Sequence, residues 1–202
     1  MQLGRVEVTS GFLLLMAWMN YLDTQLIVPL ALSACALHEL GHYLVLRCMG
    51  NNIRLLRLSC TGAEMIPTHS MSYVQELLAA AAGPLTSFLL AFLFCRWGAG
   101  QLFAGLNLVL GCLIILPISP LDGGRVLKCT LSLLSGPYIS AQICVYLDLV
   151  LTVTLLLFSL LLAFSSGNLT LLTVSLWLTL PYFNGKERKR GLPDWVRTGK
   201  IR

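Results

Sequence analysis

The chain has 202 residues, of which 56% are hydrophobic and only 11% are charged. Because soluble domains carry about 25% charged residues, this composition excludes an ordinary soluble enzyme and predicts an integral membrane protein. The net charge of +5 comes from basic residues at the ends of apolar segments, a pattern typical of membrane topology rather than of nucleic-acid binding. The seven cysteines form no C-x-x-C pair, which argues against a disulfide framework and a cysteine zinc site.

Six apolar segments predict six transmembrane helices. In chain order these spans are 8–22, 24–46, 74–94, 102–116, 138–164 and 169–183. The connection 47–73 is too polar to face lipid, and its residues 53–66 have the β-favouring pattern of a short hairpin or small sheet. The sequence therefore predicts an all-α polytopic membrane protein with a small β element between spans 2 and 3. One membrane domain is expected over 1–185, followed by a basic tail over 186–202.

The distribution of positive charge predicts the topology. Of the fourteen lysines and arginines, only Arg96 falls on the side of the predicted membrane opposite the two termini. Loops rich in positive charge stay in the cytoplasm, so both termini are expected there. The expected location is a bacterial cytoplasmic membrane.

The second predicted span carries His38, Glu39 and His42 in its second half. Ionisable groups are costly within a bilayer, so three of them in one apolar segment indicate a function. Helical residues four apart share a face, which directs both histidines to the same side, with Glu39 beside them. This H-E-x-x-H pattern is typical of two zinc ligands and a general base. The alternative is a pair of buried, hydrogen-bonded histidines.

A third ligand is expected from Asp122, which follows the fourth predicted span in the sequence P-I-S-P-L-D-G-G. Such irregular backbone at membrane depth indicates a protein-lined cavity rather than lipid contact. Spans 2 and 4 cross the membrane in the same direction, so Asp122 and the two histidines are expected at a similar depth, in the cytoplasmic half. The alternative for Asp122 is a turn or capping residue before Gly123.

Together these residues predict one zinc ion per chain. A catalytic zinc takes three protein ligands and keeps one position open. His38, His42 and Asp122 supply two nitrogens and a carboxylate. Glu39 would take a proton from the water that attacks a carbonyl and pass it to the leaving amine.

Two further features of the spans bear on the site. Gly83 and Pro84 predict a kink or local break in span 3. Asp148 lies within span 5, at a depth similar to that expected for the zinc. It is either a partner of a ligand histidine or a buried carboxyl paired with Gln142 or a backbone donor.

Three segments together resemble the site-2 protease family of intramembrane zinc metalloproteases. They are 38–42 (H-E-L-G-H), 82–85 (A-G-P-L) and 116–125 (L-P-I-S-P-L-D-G-G-R). The resemblance covers about residues 10–185, and the six-span layout is similar to the branch that contains the sporulation stage IV protease. It implies a metalloendopeptidase that cleaves peptide bonds in or near transmembrane segments. It makes His38, His42 and Asp122 the zinc ligands and Glu39 the base.

The resemblance also implies substrate or oxyanion contacts at Gly83, Pro84, Ser87 and Ser119. The family pattern has asparagines at the positions of Ser87 and Ser119, and a serine offers one hydroxyl donor of shorter reach. The β segment is expected to pair with an unwound substrate.

The expected partners are a transmembrane protein as substrate and the lipid bilayer as surroundings, with no nucleic acid. No stretch is long enough for a soluble regulatory domain, so regulation is expected from a membrane partner or from pre-cleavage of the substrate, or is absent. The alternative function is a catalytically inactive relative that binds transmembrane segments without cutting. Retention of Glu39 argues against this alternative, because a binding protein has no need of the base.

Overall fold

The computed structural model describes residues 2–3, 6–10, 17, 21, 23, 27–59, 62–119, 121–166 and 170–183. Its strands are β1 (Gln2–Leu3), β2 (Val6–Val8), β3 (Ile53–Ser59) and β4 (Gly62–Pro67). Its α-helices are α1 (Ile27–Cys48), α2 (Tyr73–Phe94), α3 (Gln101–Ile114), α4 (Asp122–Ser135), α5 (Pro137–Ser166) and α6 (Thr170–Phe183). The chain divides into two compact units, Met1–Ile114 and Ile115–Arg202.

Three of the described helices, α1, α2 and α5, are long and apolar enough to cross a membrane. Helices α3 and α6 have 14 residues each, fewer than the roughly 20 that a spanning helix needs. The first predicted span, 8–22, lies largely outside the described residues, as does the predicted basic tail 186–202. The chain is a membrane protein, as predicted, whereas six spans stay a prediction.

Hydrogen bonds at the helix starts determine where α1 and α2 begin. The carboxylate of Asp23 accepts from the backbone N–H groups of Ile27 at 3.1 Å and Val28 at 2.8 Å. Before α2, the hydroxyl of Ser72 accepts from the N–H of Gln75, whose side chain accepts from the N–H of Ser72. These bonds satisfy N–H groups of the first turn that have no partner within the helix.

The predicted hairpin is confirmed, since β3 and β4 pair antiparallel. The sheet is larger than predicted: its order is β1-β2-β3-β4, with β2 parallel to β3 and β1 antiparallel to β2. Glu7 of β2 lies opposite Arg57 of β3 in the register, and Nε of Arg57 donates to its carboxylate at 2.9 Å. The N-terminal residues therefore belong to the same sheet as the hairpin that follows α1.

Small side chains pack the helices of the first unit closely. The buried alanines among the described residues are Ala34 of α1, Ala79, Ala80, Ala82 and Ala91 of α2, and Ala104 of α3. Such residues allow helix backbones to approach each other, which is a common basis of helix association in membranes.

Helix α2 contains Pro84 and still runs without interruption from Tyr73 to Phe94. The local break predicted at Gly83 and Pro84 does not occur. Proline removes one backbone hydrogen bond, the one that the carbonyl of Ala80 would accept, but both residues are buried. Packing against neighbouring helices in membranes makes such a loss tolerable.

In the second unit, the residues that precede α4 are held by apolar packing. Ile118 and Leu121 are buried with Leu178 of α6, and Leu151 and Leu155 of α5 pack against them. Helix α4 itself was not predicted, because P-L-D-G-G reads as a turn. The structure instead has Leu121 as the capping residue of a regular helix.

Candidate metal centre

His38 and His42 lie on one face of α1, as the spacing predicts. Both are buried, with 2% and 8% of their surface exposed. Their Nε2 atoms lie 3.2 Å apart. Two ring nitrogens therefore converge on one point inside the first unit.

Helix α2 holds the other nitrogen of each ring. Nδ1 of His42 donates to the carbonyl of Ala79 at 2.7 Å, and Nδ1 of His38 lies 2.9 Å from the hydroxyl oxygen of Ser87. Since a carbonyl can only accept, a neutral His42 ring carries its proton on Nδ1 and presents a lone pair at Nε2. The two contacts fix where both Nε2 atoms point.

Gly83 stands midway between Ala79 and Ser87, because these three residues are spaced by four along one face of α2. A Cβ added at Gly83 would lie closer than 3.0 Å to Nε2 of both His38 and His42. The absence of a side chain at this position thus keeps space in front of the converging nitrogens.

This arrangement fits a zinc ion. With bonds of about 2.0–2.1 Å and tetrahedral angles, two ligand nitrogens of zinc lie about 3.3 Å apart, close to the separation of the two Nε2 atoms. The alternative of a purely hydrogen-bonded histidine pair shares the two Nδ1 contacts but gives no reason for the space that Gly83 preserves. Glu39 follows His38 on α1 and is half-buried.

Asp122 is the first residue of α4, in the second unit. Its side chain is 14% exposed and pairs with Arg125 one turn later, with Oδ1 and Nη1 3.8 Å apart. The partial positive charge of a helix N-terminus stabilises a carboxylate at this position. Asp122 is therefore available as an anionic oxygen ligand.

Gly123 explains why glycine follows this aspartate. A Cβ at Gly123 would lie closer than 3.0 Å to the carbonyl oxygen of Ile115. The first turn of α4 therefore rests directly on the backbone that precedes it, an approach that only glycine permits.

Asp148 of α5 is buried, with 6% of its surface exposed. Its Oδ1 accepts from the backbone N–H of Ser119 at 2.9 Å. Of the predicted alternatives, the structure shows the pairing with a backbone donor, whereas the side chain of Gln142 donates to Tyr138. Asp148 thereby holds the irregular backbone three residues before Asp122.

No model of a known protein family matches the chain. A zinc metalloprotease of Methanocaldococcus jannaschii is 33% identical over 168 residues, which cover 76% of this chain and 46% of that protein. The solved structure of a site-2 protease from the same organism has a TM-score of 0.68 and 26% identity, covering 93% of this chain and 92% of that one. In sequence and in fold, the chain is similar to the site-2 protease family.

The predicted resemblance to site-2 proteases is thus confirmed, while the placement in the sporulation branch stays a prediction. The chain spans about half the length of the curated relative that it matches.

The predicted substrate contacts at Ser87, Pro84 and Ser119 stay predictions, and the structure gives the surroundings of these residues. Ser87 is fully buried, and its hydroxyl lies against His38. Pro84 is buried within α2, and Ser119 is half-buried with its N–H bonded to Asp148. The backbone carbonyl of Ala79 as the hydrogen-bond partner of His42 was not predicted from the sequence, because residue types do not identify a backbone partner. The spacing of Ala79, Gly83 and Ser87, four residues apart, indicates that these three residues share one face of α2.

Proposed function

We propose that the chain is a zinc-dependent intramembrane endopeptidase that hydrolyses a peptide bond in or near a transmembrane segment of another protein. One observation carries the proposal. Two buried imidazoles converge their Nε2 atoms to 3.2 Å opposite Gly83, within a helix apolar enough to cross a membrane. Similarity in sequence and fold to site-2 proteases supports the same chemistry.

His38, His42 and Asp122 are the proposed ligands of one zinc ion per chain. Two imidazole nitrogens and one carboxylate form a donor set of known catalytic zinc sites, with a position left for water or substrate. The curated relative named as a zinc metalloprotease supports the choice of metal. When bound, zinc supplies a Lewis acid that polarises a carbonyl and makes water more acidic.

Glu39 is the proposed general base. It adjoins His38 on α1, and it is half-buried, so its carboxylate is neither fully solvated nor sealed in the core. It takes a proton from the attacking water and delivers that proton to the amine that leaves. The peptide bond breaks, and the products are a new carboxylate and a new amine.

The proposed substrate contact is the edge of the sheet. An extended peptide can add to an exposed strand through backbone hydrogen bonds, which also exposes peptide bonds that a helix shields. Among the described strands, β1 and β4 are the outer strands of the sheet, and β4, with six residues against two in β1, offers the longer unpaired edge. We therefore place the unwound substrate beside β4, in addition to the proposed contact at Ser119.

The proposed orientation has both termini in the cytoplasm and the site in the cytoplasmic half of the membrane. The asymmetry of lysine and arginine between the two sides supports it. A membrane partner or a pre-cleavage of the substrate would regulate access.

The test is a co-expression assay with a panel of single-span reporter proteins, each tagged on both sides of its transmembrane segment. Wild type is compared with Glu39→Gln, which keeps the shape of the side chain but removes the base. We expect wild type to cleave at least one reporter and Glu39→Gln to bind zinc without cleavage. Cleavage by both proteins would contradict the mechanism, and cleavage by neither would favour a relative that binds segments without cutting.

A further inference from the structure

The hydroxyl of Ser87 is placed to control one histidine of the proposed zinc site. Its oxygen lies 2.9 Å from Nδ1 of His38, and the serine is fully buried at 0% exposure. The two residues are 49 positions apart in the chain, so the contact joins α1 to α2. A buried polar side chain aimed at a ring nitrogen is costly unless the hydrogen bond is made.

The two histidines are held in different ways. His42 donates to a backbone carbonyl, that of Ala79, which no side-chain substitution removes. Nδ1 of His38 instead lies against a side chain, the hydroxyl of Ser87. A hydroxyl can both donate and accept, so this contact can persist whichever nitrogen of His38 carries the proton.

We propose that Ser87 is a positioning residue, which orients the imidazole of His38 so that its Nε2 faces the Nε2 of His42 and receives a metal ion. This proposal rests on the proposed function. If a metal binds at Nε2, the proton of the ring lies on Nδ1, and the Ser87 hydroxyl oxygen accepts a hydrogen bond from Nδ1–H. Partners of this kind fix the ring orientation and raise the basicity of the ligand, and their loss lowers metal affinity about 10- to 100-fold.

The chain offers a matched control. Ser159 is also fully buried, and its hydroxyl lies 2.8 Å from the hydroxyl of Ser175. Ser159→Ala therefore removes a buried hydroxyl and its hydrogen bond without touching a histidine. Ser87→Thr keeps a hydroxyl at the site and serves as the conservative variant.

The experiment measures zinc affinity of the full chain in detergent by competition with a chromogenic chelator. We expect Ser87→Ala to bind zinc about 10- to 100-fold more weakly than wild type. Ser87→Thr and Ser159→Ala should stay within about threefold of wild type. Thermal melting of the metal-free proteins checks that each variant folds.

A second measurement follows the hydrogen bond itself. The chain has three histidines, and His69→Gln identifies the ring signal of His69 in a sample labelled with 15N-histidine. In zinc-loaded wild type we expect slowly exchanging Nδ1–H signals from both His38 and His42. In Ser87→Ala only the His38 signal should be lost, with the His42 signal as an internal control.

The outcomes separate this proposal from the proposed function. Wild type that binds zinc while Ser87→Ala binds it equally well overturns the positioning role alone. If zinc-loaded wild type shows no slowly exchanging Nδ1–H signal from His38, the positioning role alone is likewise overturned. Wild type that binds no zinc overturns the proposed function and the positioning role together.

Discussion

The backbone of Gly83 approaches Nε2 of His42 so closely that a methyl group on Gly83 would lie within 3.0 Å of that nitrogen. The same methyl group would also meet Nε2 of His38. Glycine is therefore required at this position of the A-G-P-L segment for a steric reason, because any side chain would obstruct both nitrogens.

Substitution of Gly83 by alanine should abolish zinc binding and proteolysis while the protein stays folded. The added methyl group would occupy the place in front of the two nitrogens. The control is Gly105→Ala on α3, where a Cβ would meet nothing within 4 Å. Alanine in an open helical position is favourable by about 1 kcal/mol, so Gly105→Ala should keep its zinc and its activity. Mass spectrometry measures the zinc content of both variants. Full zinc occupancy in Gly83→Ala would contradict the claim that a methyl group at this position blocks the site.

We expect Asp148 to contribute to stability and activity through its hydrogen bond with the backbone N–H of Ser119. Asp148→Ala leaves this part-buried donor without its acceptor, which should lower the free energy of unfolding by about 1–3 kcal/mol and reduce proteolysis. Asp148→Asn retains a carbonyl oxygen at the same place and should lose less than half as much. Unfolding in mixed micelles measures both effects. Equal losses in the two variants would show that the hydrogen bond to Ser119 is not what Asp148 contributes.

The pairing of β2 with β3 can be tested through Glu7 and Arg57. Both side chains are partly exposed, at 38% and 42%, so breaking the pair by Glu7→Lys should cost no more than about 1 kcal/mol. The exchange Glu7→Lys with Arg57→Glu should restore stability. A double-mutant cycle with no coupling between the two positions would contradict the parallel register.

Removal of zinc should lower thermal stability as well as activity. A ligand that binds only the folded state stabilises it by about 2.7 kcal/mol at a concentration 100 times its dissociation constant. Wild type should therefore melt at a lower temperature after chelation and recover with one equivalent of zinc. His42→Ala should show neither change, and a zinc-dependent shift in that variant would place the metal elsewhere.

The sequence predicted the part of the site that depends on helical spacing. His38 and His42 share a face because residues four apart in a helix do so, and nothing in the tertiary structure alters this. The hairpin was likewise predicted from a local pattern, and the structure confirms it.

The remaining features depend on contacts between distant segments. The N-terminal strand pairs with β3 across about 50 residues, and a short run such as V-E-V carries no information about its partner. Helix α4 was missed because Gly123 and Gly124 usually mark a turn, whereas here they allow close packing on the preceding backbone. The role of Ser87 depends on the packing of α1 against α2, which the residue type alone does not indicate.

The most direct test of the central claim is zinc K-edge X-ray absorption of the Glu39→Gln variant, which should hold the metal without consuming substrate. The proposed ligands predict one zinc per chain with two imidazoles and oxygen ligands at about 2.0–2.2 Å, and no sulfur. Asp122→Ala and His38→Ala should each lower zinc affinity sharply. A sulfur shell at about 2.3 Å, or a spectrum without imidazole, would contradict the assignment of His38, His42 and Asp122 as the metal ligands.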